Sequence, residues 1–265
     1  MRKSIFDIEN RLDISIEFKK FIDVLNKEDA ILRSGCFLTY FEFVNRYVFN
    51  IWEYRDTFID IYSYLTHIGI TSDMIRNGII DESHFLNFLE FLLNIDKTIK
   101  DNNLEKYIID IVVKNIVPHN IPIILEKMNY EKYENGGKIC IRKRDSDVDS
   151  ILEIVPEDVS LLLLSYNDIR NNNLEAKKDI LKGLDLYIEK GKKEYKSFDS
   201  KLYDSIGTIV NKMGINHPID EEPYTNMSKE QIIKWYDKCF KLMIHLIRTK
   251  EINIIKEERV NLIKK

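Results

Sequence analysis

The scarcity of helix-breaking residues is the feature of this sequence that most restricts its fold. Nine glycines and five prolines occur in 265 residues, and the apolar residues between them recur every three or four positions, the period of an amphipathic helix. The clearest case begins at the sequence "SKEQ", Ser228–Gln231, which has the form of a capping box at the start of a helix. An apolar face typical of a helical-bundle core follows it, at Ile232, Tyr236, Phe240, Met243 and Ile247.

The pattern changes in the middle of the chain. The turn sequence Asn135-Gly136-Gly137 precedes Lys138–Arg142, where polar and apolar residues alternate, so a small β-hairpin is predicted. Ser150–Val155 is a candidate third strand. We therefore predict an all-α fold of two packed helical lobes with a small β-hairpin between them. The predicted parts are an N-terminal helical lobe over 1–129, a hairpin connector over 130–155 and a C-terminal helical bundle over 156–265.

The composition is that of a globular protein, with 44% hydrophobic and 32% charged residues. No apolar run approaches the roughly 18 residues of a membrane span, and the first residues lack the apolar segment of a signal peptide. Cys36, Cys140 and Cys239 lie far apart without a CxxC pair, which argues against a disulfide framework or a structural zinc site. We expect a cytoplasmic protein with no cofactor and no membrane partner.

Charge is distributed unevenly along the chain. The net charge of −4 excludes a strongly basic protein that wraps nucleic acid. Residues 1–130 carry 15 Lys/Arg and 20 Asp/Glu, a net of −5, which leaves +1 for residues 131–265. If an anionic partner binds, the second part of the chain is therefore slightly favoured.

The densest basic cluster lies on the predicted hairpin. Basic side chains near aromatic rings, here Tyr130 and Tyr133, can hold a nucleic-acid strand through phosphate contacts and stacking. The same charges are also typical of a solvated strand edge that must not pair with another chain, and both interpretations stay open. The cluster comprises Lys138, Arg142, Lys143 and Arg144.

Common catalytic and metal-binding motifs do not occur. The sequence lacks GxGxxG, GxxxxGK[ST], HExxH and GxSxG motifs. The alternating acids Asp145, Asp147 and Asp149 resemble part of a calcium loop, but Ser150 replaces the glycine that the turn needs and Pro156 replaces the closing glutamate. We expect a solvated turn there and no metal site.

The stretch "NKMGINHP", Asn211–Pro218, lies between two helical segments and contains one of five histidines. Gly214 is predicted to end the first helix in a left-handed conformation, and Pro218 prevents the helix from continuing. In this interpretation Asn216 and His217 simply fill a polar turn. The alternative is that His217 faces RNA.

The alternative comes from a resemblance that covers roughly residues 155–250. Two long helices joined by a polar turn that ends in a histidine are similar to the HEPN superfamily, whose helical bundles occur in bacterial abortive-infection and toxin proteins. The resemblance implies RNA binding and, by analogy, a homodimer. The residues that carry it are Tyr166, Lys177 or Lys178, Ile180-Leu181, Glu189, "NKMGINH" and the helix that contains Trp235.

The family's chemical motif is an arginine followed, after four to six residues, by a histidine. The resemblance implies that His217 is the general acid–base in RNA cleavage, while Asn211 occupies the place of the arginine that stabilises phosphate charge. An asparagine can donate a hydrogen bond but cannot neutralise a phosphate. Arg170, on a neighbouring element, is a candidate substitute, and Arg142 to Arg144 of the hairpin cluster form a candidate phosphate-positioning patch.

Two functions follow from these patterns. The first is a HEPN-like phage-defence protein that binds RNA, with degenerate, metal-independent ribonuclease activity as an open extension. The second is a non-catalytic helical adaptor that binds a protein partner through an aromatic groove in the first lobe. The rings that suggest such a groove are Tyr47, Trp52, Tyr54 and Tyr64.

Overall fold

The computed structural model describes residues 12–216 and 226–263. The chain divides into two compact units between Ile141 and Arg142. Helices dominate both units, and the described strands form two sheets of two strands each. The prediction of an all-α fold with a small hairpin is therefore confirmed. Over the described residues, no helix combines the length and the apolar character that a membrane span requires.

The first unit is built from short helices around one long helix. Its helices are α1 (Ile14–Leu25), α2 (Tyr40–Phe43), α3 (Ile61–His67), α4 (Ser72–Asn77), α5 (Glu82–Asp101), α6 (Ile111–Asn115) and α7 (Ile121–Lys127). Its strands are β1 (Ile31–Arg33), β2 (Cys36–Leu38) and β3 (Tyr130–Asn135), and β4 (Lys138–Lys143) runs through the boundary. Two π-helical turns, Val44–Val48 and Ile116–Asn120, continue α2 and α6, and 3-10 turns occupy Phe49–Ile51, Glu53–Arg55 and Glu105–Tyr107.

Aromatic rings fill the core between α1 and α5. Phe18 and Phe21 of α1 meet Phe85 and Phe88 of α5 edge to face, with ring centroids 5.1–6.4 Å apart. All four side chains are buried. Each such pair adds about 0.5–1.5 kcal/mol beyond the burial of its area, so these rings fix α1 on the longest helix of the unit.

The predicted hairpin, β3–β4, is present. Gly136 and Gly137 form its turn with φ angles of +57° and +81°, a conformation that favours glycine. A second hairpin, β1–β2, was not predicted. Its turn residues Ser34 and Gly35 also have positive φ angles, but its strands of three residues are too short for a visible alternation of polar and apolar positions.

The second unit is a helical bundle. Its elements are α8 (Ser146–Asp149), α9 (Glu157–Tyr166), a 3-10 turn (Ile169–Asn171), α10 (Leu174–Lys190), α11 (Lys192–Lys212) and α12 (Lys229–Ile263). Helix α10 packs against α9, α11 and α12, and α11 packs along α12. The five predicted core positions of α12 are all buried. The predicted capping box is present, since Ser228 and Gln231 exchange backbone-to-side-chain hydrogen bonds of 2.8 and 3.3 Å.

The prediction of a third strand over Ser150–Val155 is wrong. These residues form turns, with hydrogen bonds such as Ile154 N–H to the Ile151 carbonyl at 3.2 Å. Val148, Ile151 and Val155 are buried in the bundle core at spacings of three and four. Burial at this spacing fits successive turns, because a strand would bury every second residue.

Candidate functional site

The chain leaves α11 through the left-handed glycine that the sequence predicts. Gly214 has a φ angle of +63°, and the Ile215 N–H donates to the Val210 carbonyl at 3.1 Å, as in a Schellman motif. Tyr236 of α12 donates its hydroxyl proton to the Met213 carbonyl at 3.2 Å. These contacts hold the end of α11 against α12 and define the corner where the candidate site lies.

The next polar residue of the corner points toward α10. The Nδ2 atom of Asn216 donates to Oδ2 of Asp185 at 2.7 Å, and Asp185 is 6% exposed. The Oδ1 atom of Asn216 is buried and has no hydrogen-bond partner within the described residues. His217, the predicted general acid–base, follows directly in the sequence and lies outside the described residues.

Asp185 lies in an environment that disfavours its ionised form. Burial raises the pKa of this carboxyl, the hydrogen bond from Asn216 opposes that change, and the charge of Glu189 adds to it. The Tyr203 hydroxyl donates to Glu189, which lowers the pKa of Glu189. On α12, burial first and then the Asp185 charge raise the pKa of the Cys239 thiol to about 12. The corner therefore contains a buried carboxyl group whose pKa is raised above its ordinary value, a feature that is common at functional sites.

Asn211, the predicted substitute for the family's arginine, is exposed in the last turn of α11. Its carbonyl accepts from the Gly214 N–H at 3.4 Å. The amide of its side chain makes no hydrogen bond to other described residues. Asn211 thus offers a neutral donor to solvent at the corner, and its catalytic role stays a prediction.

The hairpin cluster does not form one exposed patch. Arg142 is 2% exposed, and its guanidinium contacts the Asp149 carboxylate. Lys138 is half-buried, with Nζ 3.6 Å from the Glu90 carboxylate. Lys143 and Arg144 are exposed. A buried, paired guanidinium is typical of a structural role, so Lys143 and Arg144 are the two cluster members whose side chains are exposed to solvent.

Arg170 is held by a neighbouring carboxylate. Its Nε atom lies 3.0 Å from Oδ1 of Asp168, and a terminal nitrogen lies 2.7 Å from Oδ2. The Asp168 side chain is fully buried, whereas Arg170 is exposed. Because this two-point contact neutralises the charge that a phosphate would need, the predicted role of Arg170 as a substitute arginine gains no support from its surroundings.

Two residues that carry the family resemblance meet at one carboxylate. The Tyr166 hydroxyl and the Lys177 ammonium both donate to Oδ1 of Asp237 at 2.9 Å. Lys177 also lies 3.9 Å above the centre of the Tyr166 ring, which stacks on Phe240 at 3.8 Å. Burial, followed by the Asp237 charge, raises the pKa of Tyr166. The group joins α9, α10 and α12, so its evident role is to hold the bundle together.

The acidic string after the hairpin has structural partners. Asp145 caps α8 by accepting from the backbone N–H groups of Asp147 and Val148. Asp149 contacts Arg142. Capping and ion pairing therefore account for carboxylates that, in the sequence, resemble part of a calcium loop.

The rings of the predicted aromatic groove make internal contacts. Trp52 is buried and meets the half-buried Tyr64 at a centroid distance of 4.8 Å. The Tyr54 hydroxyl donates to the Gly136 carbonyl at 2.8 Å, and Tyr47 lies under the Arg33 guanidinium at 3.9 Å. The adaptor function stays a prediction, but these rings form part of the packing of the first unit.

Asp185 is the residue that the sequence pattern did not reveal. It lies between Leu184 and Leu186 in an amphipathic helix, where an acid normally faces solvent. A helical wheel of α10 offers a signal, because Leu181, Leu184 and Ile188 place Asp185 at the edge of the buried face. Comparison adds no further site residues: no family model matches the chain, and no curated protein or solved structure matches it.

Proposed function

We propose that the protein is a HEPN-like phage-defence protein that binds RNA through its C-terminal helical bundle. The observation that carries this proposal is the hydrogen bond between Asn216 and Asp185. It holds the residue before His217 against α10, at the corner between two long helices. Catalytic groups must be held in a fixed geometry by the residues around them. A polar corner whose preceding residue is hydrogen-bonded to a helix therefore supports the proposal of a catalytic histidine there.

The proposed chemistry is cleavage of the RNA chain without a metal ion. His217 would move the proton between the 2′-hydroxyl and the leaving oxygen, which is the task of a general acid–base. Asn211 would donate a hydrogen bond to the phosphate in place of the arginine. Because one neutral donor stabilises a phosphoryl transition state much less than a guanidinium does, we expect slow cleavage at most, with RNA binding as the primary activity.

The test is incubation of the purified 265-residue chain with total RNA in the presence of a chelator, with electrophoresis of the products. His217→Ala is compared with His119→Ala, which removes an exposed histidine of the first unit. The proposal predicts that the wild type and His119→Ala release fragments that His217→Ala does not. Equal cleavage by all three proteins would exclude His217 as the catalytic group. A wild type that neither cuts nor retains RNA would contradict the whole proposal.

A second candidate function, the non-catalytic adaptor, is favoured by a different surface from the predicted groove. Ile109, Ile111 and Val112 are each more than half exposed around the start of α6. Neighbouring exposed aliphatic side chains mark protein contacts, and a second copy of the chain is the first partner to test. Light scattering of the wild type and of Ile111→Lys tests this surface. An adaptor surface of this kind predicts that the wild type is an oligomer and that Ile111→Lys is a monomer. Two monomeric proteins would contradict it.

A further inference from the structure

One face of α12 carries a row of basic side chains. The residues occur at spacings of four, three, four and three, which places them on a single narrow face of the helix. All five are exposed. We call this face the α12 basic stripe, and it comprises Lys234, Lys238, Lys241, His245 and Arg248.

The charges of the stripe are largely available. Within the described residues, no carboxylate forms an ion pair with Lys234, Lys238 or Lys241. Arg248 lies 3.7 Å from Asp147, with both side chains about half exposed or more, and such surface pairs contribute little. Glu230 begins the same face one turn before Lys234. The stripe thus presents a net positive row to solvent.

The helix that carries the stripe is held in place by the bundle core. On its opposite face Tyr236, Met243 and Ile247 are fully buried in the bundle core, and α10 and α11 pack against it. The stripe from Lys234 to Arg248 is about 21 Å long at 1.5 Å per residue. Because the core fixes the backbone of α12, the protein needs to order only side chains when it binds along this face, which lowers its share of the entropic cost of association.

We propose that the α12 basic stripe is the surface that holds a single strand of RNA by its phosphates; that the polymer is RNA rests on the function proposed above. A single file of cations can follow one backbone, whereas contact with an RNA duplex requires groups that reach two strands across a shallow minor groove. The row is also convex, since it lies on one exposed helix, and a helix cannot enter the narrow major groove of A-form RNA.

An aromatic side chain borders the stripe. The Lys238 ammonium lies 4.3 Å from the centre of the half-buried Trp235 ring. Proteins that bind single strands combine a cationic track with aromatic side chains against which bases stack. Trp235 is therefore the ring to which a base would pack beside the phosphates held by the lysines.

The experiment measures fluorescence anisotropy of a labelled 20-nucleotide single-stranded RNA with the 265-residue chain. The stripe variant is Lys234→Gln, Lys238→Gln and Lys241→Gln combined. The matched control is Lys190→Gln, Lys193→Gln and Lys201→Gln combined, which removes the same charge from exposed positions on α10 and α11. Circular dichroism confirms that both variants fold, as expected for exposed helical positions where glutamine and lysine have similar propensities.

We expect the stripe variant to bind at least about tenfold more weakly than the wild type at 0.1 M salt, since three phosphate contacts are removed, while the control changes much less. If the wild type binds RNA and the two variants weaken binding equally, the stripe assignment is overturned and the proposed function stands. If the wild type binds no RNA, both fall. Equal affinity for the annealed duplex, or binding to phosphatidylserine vesicles in place of RNA, would also overturn the assignment.

Discussion

Asn216 donates its side-chain amide to the buried carboxylate of Asp185 across 2.7 Å. This bond joins the corner after α11 to the middle of α10, two segments that are 31 residues apart in the chain. A hydrogen bond between residues far apart in the chain holds the corner against a second helix, which the local bonds at the end of α11 do not. The conformation of the corner up to Asn216 is therefore expected to depend on Asp185.

Removal of the amide should destabilise the protein. In Asn216→Ala the buried Asp185 carboxylate loses its donor, and we expect a loss of about 1–3 kcal/mol in the free energy of unfolding. Asn211→Ala is the control, since the Asn211 side chain is exposed, and its effect should stay within about 0.5 kcal/mol. Urea unfolding followed by circular dichroism measures both. Equal effects would show that the bond to Asp185 does not stabilise the corner.

Asp185 should make stability depend on pH. Because burial raises its pKa, the folded protein binds this proton more tightly than the unfolded chain, whose aspartate pKa is about 3.9. Stability is therefore lost as the pH rises from the unfolded pKa through the raised folded pKa. Asp185→Asn keeps a carbonyl acceptor for Asn216 but does not titrate. We expect the variant to gain stability relative to wild type as the pH rises from 4 to 8, and a constant difference would contradict this.

Position 214 should require glycine. Its φ angle of +63° is unfavourable for residues with a Cβ, so Gly214→Ala is expected to cost about 1 kcal/mol. Gly207 provides a matched control, because it lies inside α11 and an added Cβ would meet no atom within 4 Å. Gly207→Ala should stabilise the protein by about 0.5–1 kcal/mol through helix propensity. Thermal unfolding would contradict the assigned corner if both changes had the same sign.

Substitutions of the neighbouring residues Arg142 and Lys143 are expected to differ in their effect on the free energy of unfolding. Arg142→Gln removes a buried guanidinium from its contact with Asp149, whose side chain is 44% exposed, and we expect a loss of about 1–3 kcal/mol in the free energy of unfolding. Lys143→Gln alters an exposed side chain and should leave stability within about 0.5 kcal/mol. A chemical-denaturation curve for each variant gives the comparison. Similar stabilities would restore Arg142 as a candidate for phosphate binding.

Much of the second unit could be predicted from periodicity. The capping box at Ser228 and the glycine stop at Gly214 are local features, and local hydrogen bonds determine them. The predicted strand over Ser150–Val155 failed because a short apolar run fits a strand and a buried helical turn equally well. The conformation of this segment depends on its packing against other helices of the bundle, and those helices are distant in the sequence.

The site was less predictable than the fold. Alternation along β4 predicted Arg142 on a polar face, yet Cys140, Ile141 and Arg142 are all buried in succession, so this end of the strand is covered on both sides. The hydrogen bond from Asn216 to Asp185 depends on how α10 and α11 pack. No sequence motif predicts that packing. The α12 basic stripe, in contrast, was accessible from the sequence, since it lies directly opposite the apolar face that predicted the helix.

The most direct test of RNA binding is the salt dependence of wild-type affinity for a single-stranded RNA, measured by anisotropy between 50 and 300 mM NaCl. If three or four basic side chains hold phosphates, log K should fall linearly with log salt concentration with a slope of about −2 to −3. A slope of log K against log salt concentration near zero, or no binding at 50 mM NaCl, would contradict the account. The protein would then be a helical protein without an RNA-binding role.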